Sequence, residues 1–120
     1  MIVCERHVEI AAKIARGGDV IKARMSCLAI SRSGDIICSS SNRLLQGNRI
    51  RWSEHAEEAT IRKLLKVHAF DRYKGISIFV FRISSNGISL AKPCLKCQKL
   101  LDKYPVVVFY TTNDGKIERL

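Results

Sequence analysis

Two short stretches constrain this chain more than any other feature: residues 76–83, Ile-Ser-Ile-Phe-Val-Phe-Arg-Ile, and residues 106–111, Val-Val-Val-Phe-Tyr-Thr. Both are apolar almost throughout and rich in β-branched and aromatic residues, with no alternation of polar and apolar. A strand of that composition has to be covered on both faces, which places it inside a sheet flanked by helices. The rest of the chain supplies the cover. Residues 2–16 carry Ile2, Val3, Val8, Ala11, Ala12, Ile14 and Ala15 as a helical stripe that Gly17-Gly18 ends. Residues 25–31 and 36–40 are short β-prone runs joined through Arg32-Ser33-Gly34-Asp35, a hairpin connection. The polar stretch 41–52 has no periodicity and is expected to be a loop. Ser53 is placed to cap a helix whose apolar positions are Ala56, Ala59, Ile61, Leu64, Leu65 and Val67. Pro93 reads as the first residue of a third helix through Lys103, a position where the missing amide hydrogen is not needed. After the second apolar run, Asn113-Asp114-Gly115 turns the chain back into residues 116–120 as a C-terminal β-hairpin. The order α, β, β, α, β, α, β, β predicts an α/β fold, a three-layer α/β/α arrangement around a mixed five-stranded sheet.

Composition bounds the rest. One hundred and twenty residues at 47% hydrophobic content suffice for one core and not two, so residues 1–120 read as a single domain. No stretch approaches the roughly 20 apolar residues that span a bilayer, and charges stand where a signal peptide needs an apolar run. A cytoplasmic protein without a membrane partner is the expectation. Five cysteines, at positions 4, 27, 38, 94 and 97, do not form the dense even set of a secreted disulfide scaffold, so reduced thiols are expected. The net charge of +10 points to an anionic substrate or partner, nucleic acid among them. The basic residues are spread along the chain, which fits a basic face on a folded surface better than a disordered arm.

The chemistry is concentrated in His55-Ala56-Glu57 and Pro93-Cys94-Leu95-Lys96-Cys97, each opening an expected helix. Either motif alone is weak. Together, in this order and context, they resemble the H-x-E…P-C-x-x-C signature of the zinc-dependent cytidine deaminase-like superfamily, which includes the cytidine and deoxycytidylate deaminases. The resemblance implies Zn2+ held by His55, Cys94 and Cys97, with Glu57 as the catalytic general acid/base. Physical chemistry asks for these residue types. Cys94 and Cys97, three apart, present both sulfurs to one side of a helix whose N-terminus favours thiolate. Three protein ligands leave a zinc ion one position for water, as catalytic sites do. Glu57 then moves protons without binding the metal. A closed structural site completed by Cys4, Cys27 or Cys38 is the competing reading, but none of these has ligand spacing. A redox role for the Cys94–Cys97 pair leaves His55 and Glu57 unexplained. Cys27 and Cys38 read as core residues, and His7 and His68 as packed or surface histidines.

The resemblance extends along nearly the whole chain through the element order. It implies that Asn42 contacts the sugar and that the Ala56 backbone contacts the base of a nucleoside or nucleotide substrate, in an enzyme that is a homo-oligomer. The reaction implied is hydrolytic deamination of a cytosine-type base to the uracil form with release of ammonia. The C-terminal hairpin resembles the free-nucleoside branch. Against that, the branch usually has glutamate where this chain has Leu44, and arginine where it has Gln98. Arg43, Arg49 and Arg51 are placed to meet substrate phosphate, and Trp52 to stack on a base. Two alternatives stand beside a small substrate: a base in single-stranded DNA or RNA, and a catalytically silent zinc-bearing module.

Overall fold

The structure, a computed structural model, describes residues 3–17, 24–46 and 51–120, with backbone alone for 43–46 and 51–54. In chain order the elements are α1 (Glu5–Arg16), β1 (Arg24–Ile30), β2 (Ile36–Ser41), β3 (Arg43–Gln46), β4 (Arg51–Glu54), α2 (Ala56–Lys66), α3 (Ala69–Arg72), β5 (Ile76–Ser84), β6 (Gly87–Ser89), α4 (Leu95–Leu101), β7 (Val106–Thr111) and β8 (Ile117–Arg119). The main sheet runs β2-β1-β5-β7-β8, which are the five strands expected, and β6 adds a sixth by folding back on the end of β5. β5 is antiparallel to β1 and parallel to β7, and β8 returns antiparallel along β7. The sheet is therefore mixed, and the C-terminal hairpin is present.

The pleat of the two central strands divides the core into two. Cys27 and Ala29 of β1, with Ile76, Ile78 and Val80 of β5, face a cluster containing Ala56, Ile61 and Leu64 of α2 and Leu101 of α4. The intervening residues Leu28, Ile30, Phe79 and Phe81 face the opposite way, against Ala11 and Ala15 of α1. Phe79, Phe81, Leu28 and Ile30 are all 0% exposed, so each contributes roughly 1.5–3 kcal/mol of burial. This double-sided packing is why those runs contain no polar alternation. α1 is tied to the β1–β2 turn by His7, whose Nδ1 accepts from the Cys4 N–H (3.1 Å) and whose Nε2 meets the Gly34 carbonyl (2.8 Å). Gly34, at φ 96°, supplies the left-handed residue of that turn.

Four local expectations are corrected. The stretch expected to be a loop contains a two-stranded ribbon in which, among the described residues, β3 pairs with β4 alone. Ser53 lies within β4, and the residue before α2 is His55. Pro93 precedes α4 instead of opening it, because Cys94 still has extended backbone (φ −66°, ψ 166°) and the helix begins at Leu95. The first helix starts at Glu5, after Cys4 in extended conformation.

Candidate metal centre

The N-terminal ends of α2 and α4 meet on one face of the sheet. His55 and Cys94 are each the last extended residue before their helix, and Cys97 lies in the first turn of α4. The short path from β4 to α2 and the buried Pro93 before α4 fix these two starts. Gln98 contributes by donating from Nε2 to the Pro93 carbonyl at 2.8 Å, which holds the chain entering α4. Across the junction, Glu58 accepts from the His55 N–H at 3.3 Å and pairs with Lys96 at 3.7 Å. With Lys96 largely exposed, this pair guides orientation more than it stabilises.

The result is a compact donor set. His55 Nδ1 lies 3.2 Å from Cys97 Sγ and 3.8 Å from Cys94 Sγ, and the three donor atoms all fall within 4.8 Å of one another. Tetrahedral zinc with bonds of about 2.0 Å to nitrogen and 2.3 Å to sulfur has ligand–ligand edges of about 3.6–3.8 Å, which the observed separations bracket. Cys97 is buried, His55 half-buried and Cys94 exposed, so the set is closed on the core side and open on the other.

Electrostatics gives an independent reason for a cation. Glu57 is only 2% exposed; burial, above all, pushes its carboxyl above the usual range, while its neighbours His55 and the Cys97 thiol act the other way. Burial likewise drives the Cys97 thiol far up, with Glu57 adding to the shift. The Glu57 carboxylate and the Cys97 thiolate, crowded into one poorly solvated space, cannot both ionise readily unless a positive charge joins them. A divalent ion reverses that penalty, and sulfur with imidazole is the donor combination zinc prefers. One oxygen of Glu57, Oε1, is buried with no hydrogen-bond partner, so the carboxylate keeps free accepting capacity beside the donor set.

His55, Glu57, Cys94 and Cys97 are thus brought together as expected from the motifs. Ala56, 0% exposed, sits between the first two at the start of α2. Asn42 is buried at the end of β2, where its Oδ1 accepts from the Met25 N–H (3.1 Å) and its own N–H donates to the Met25 carbonyl (3.3 Å). Arg43, Arg51 and Trp52 lie on the β3–β4 ribbon, with Arg43 opposite Glu54 and Trp52 opposite Leu45; their side chains, and all of Arg49, lie outside the described residues. The buried Cys27 and half-buried Cys38 lie behind α2 near Thr60, away from the donor set. Sequence reasoning gave Glu58 no role and read Gln98 only as a departure from the family pattern. Glu58 carried a signal, an acid three residues after the cap, but that signal is legible only once the cap is placed at His55.

No protein-family model matches the sequence, and no curated protein matches it significantly. Among solved structures, the chain is similar to the cytidine deaminase from Mycobacterium leprae, with a TM-score of 0.61 over 92% of this chain and 87% of that one, at 16% identity. The fold is cytidine deaminase-like. Among the described residues no helix is long and apolar enough to cross a membrane.

Proposed function

We propose that this chain is a zinc-dependent hydrolase that deaminates a cytosine-type base in a nucleoside or nucleotide, releasing ammonia and leaving the uracil form. The observation that carries the reading is the donor triad of His55, Cys94 and Cys97 with the buried, half-satisfied carboxylate of Glu57 beside it. Zinc held by these residues supplies Lewis acidity that lowers the pKa of water toward neutrality. Glu57 takes a proton from the attacking water, delivers it to the ring nitrogen, and passes the second proton to the departing amine. Water adds at C4, the C4–N bond breaks, and the oxygen stays as the carbonyl. The Ala56 backbone, buried between the two functional side chains, is proposed to contact the base, and Asn42 the sugar.

Incubating the zinc-loaded protein with cytidine, deoxycytidine, their monophosphates and a cytosine-containing single-stranded oligonucleotide, while following ammonia, tests this reading. Release from the nucleosides or nucleotides is expected. The net charge of +10 favours a second reading, a polymer substrate. Turnover of the oligonucleotide alone, with log affinity falling against log salt at a slope steeper than about −3, would establish it in place of the first.

A further inference from the structure

Among the described residues, the buried side-chain polar atoms that lack a hydrogen-bond partner are Ser40 Oγ, Glu57 Oε1 and Arg82 Nε. They come from β2, α2 and β5, yet the strand register puts all of them on one face of the sheet. Cys27 is flanked by Ser40 on one side and Val80 on the other, and this row faces α2. Glu57 opens this face's helix, next to Ala56, which packs in the same cluster as Cys27. Three residues later Thr60 already covers Cys38, the partner of Ala29, so α2 runs away from the opposite end of β1. At that end, two residues from Cys27 and therefore on the same face, stands Met25. Its neighbour on β5 is Arg82, and on the β2 side Asn42 exchanges two hydrogen bonds with it. Asn42, Met25 and Arg82 thus form the next row out, about 7 Å beyond the row under Glu57.

Arg82 is out of place in this row by composition. It is the one charged residue in the apolar run 76–83, it is half-buried, and its side chain makes no ion pair or hydrogen bond among the described residues. A guanidinium whose Nε is shut off from water without a partner carries a cost, and the fork geometry of arginine suits phosphate oxygens. Nothing described in the chain supplies the anion, and the position is one pleat outward from the proposed proton-transfer group, where the part of a substrate remote from the reacting ring would lie.

We propose that Arg82 receives the phosphate on the sugar of a cytosine nucleotide and thereby selects a phosphorylated substrate over the bare nucleoside. The inference rests on the deaminase reading above. The phosphate belongs either to a free monophosphate or to a nucleic-acid strand, and the substrates of the test separate the two.

The test compares wild type, Arg82→Gln and Arg82→Lys, all zinc-loaded, on deoxycytidine, its 5′-monophosphate and a single-stranded oligonucleotide with one internal cytosine. In parallel, calorimetry measures binding of the monophosphate to the inactive Glu57→Gln protein with and without Arg82→Gln. Arg82→Gln is expected to raise KM for the monophosphate and weaken its binding roughly ten- to a hundred-fold, the scale of a lost charge-assisted hydrogen bond, with kcat and deoxycytidine turnover nearly unchanged. Arg82→Lys is expected to fall between, because it keeps the charge and loses the fork. A phosphate preference in the oligonucleotide alone assigns the site to a strand. Equal losses on nucleoside and monophosphate, or no loss on either phosphorylated substrate, overturn the proposal while leaving deamination standing. Should wild type deaminate no cytosine compound, the functional reading fails on its own, and calorimetry still decides whether phosphate binding depends on Arg82. If Arg82→Gln does not fold, the ratio of Arg82→Lys to wild type on the two small substrates decides the question, and an unchanged ratio overturns the proposal.

Discussion

Glu57→Gln separates what the fold tolerates from what the chemistry requires. The carboxylate is 2% exposed, one of its oxygens has no partner, and its pKa is raised chiefly by burial, so in the metal-free protein it is held in place at a cost. An unsatisfied buried polar group costs about 1–3 kcal/mol, and more when charged. Glutamine keeps the shape and removes the charge. We therefore expect the metal-free variant to be more stable than wild type at neutral pH by about 1 kcal/mol, a rise in Tm of about 3–6 °C for a domain of this size. The pH dependence has a definite sign. Above the ordinary glutamate value of 4.5, the folded wild type retains a proton that the unfolded chain has lost, so its stability falls as pH rises until Glu57 also ionises in the folded state. Below that window both states are protonated and the difference between wild type and variant disappears. Zinc shrinks the difference too, since a neighbouring cation favours the carboxylate. Turnover moves the other way, by about 10²–10⁴-fold, the usual contribution of a general acid/base. Calorimetric melting of both proteins, metal-free and zinc-loaded, between pH 4 and 8 (a range set about that window), together with steady-state rates, provides the assay. A variant that melts lower than wild type when metal-free, or one that keeps full activity, refutes the reasoning.

The ligand set predicts that Cys94→Ala and Cys97→Ala lose stoichiometric zinc, whereas Cys27→Ala, buried but outside the donor group, retains it; metal analysis after dialysis distinguishes these outcomes. Zinc retained in Cys97→Ala removes the proposed site. Asn42→Ala should cost about 1–3 kcal/mol in denaturant melts, because the Met25 N–H loses its acceptor at a buried strand end. A loss in substrate affinity exceeding the effect on stability would add the sugar contact to that structural role, and no change in either would dismiss both.

The sheet was legible because β5 and β7 have to be covered on two faces, and a strand in that position leaves a continuous apolar signature that no surface element imitates. The β3–β4 ribbon left no such mark. Among the described residues, 43–46, Arg-Leu-Leu-Gln, and 51–54, Arg-Trp-Ser-Glu, pair with each other and with no strand of the main sheet, so that sheet imposes no alternation on them. β6 has three residues and is set by the Gly87 turn more than by any pattern. The helix starts were misplaced by two or three residues: Ser53 and Pro93 have the stronger local preferences, yet His55 and Cys94 are the extended residues that precede α2 and α4. The two motifs were readable because His55, Cys94 and Cys97, far apart in the chain, are residue types suited to one donor group, and the fold brings them within 4.8 Å of one another. Arg82 was not, since a single arginine in an apolar run acquires meaning only when the register shows which face it shares.

Isotopic tracing of the reaction in H2 18O tests the central claim most directly. Zinc-loaded wild type, given deoxycytidine or its monophosphate, should release ammonia in equal amount to the uracil product, and mass spectrometry should find one solvent-derived oxygen at C4 of that product, with neither formed by Glu57→Gln. Unchanged cytosine in every substrate, despite a full complement of zinc at His55, Cys94 and Cys97, would contradict the account and leave a metal-bearing fold without this chemistry.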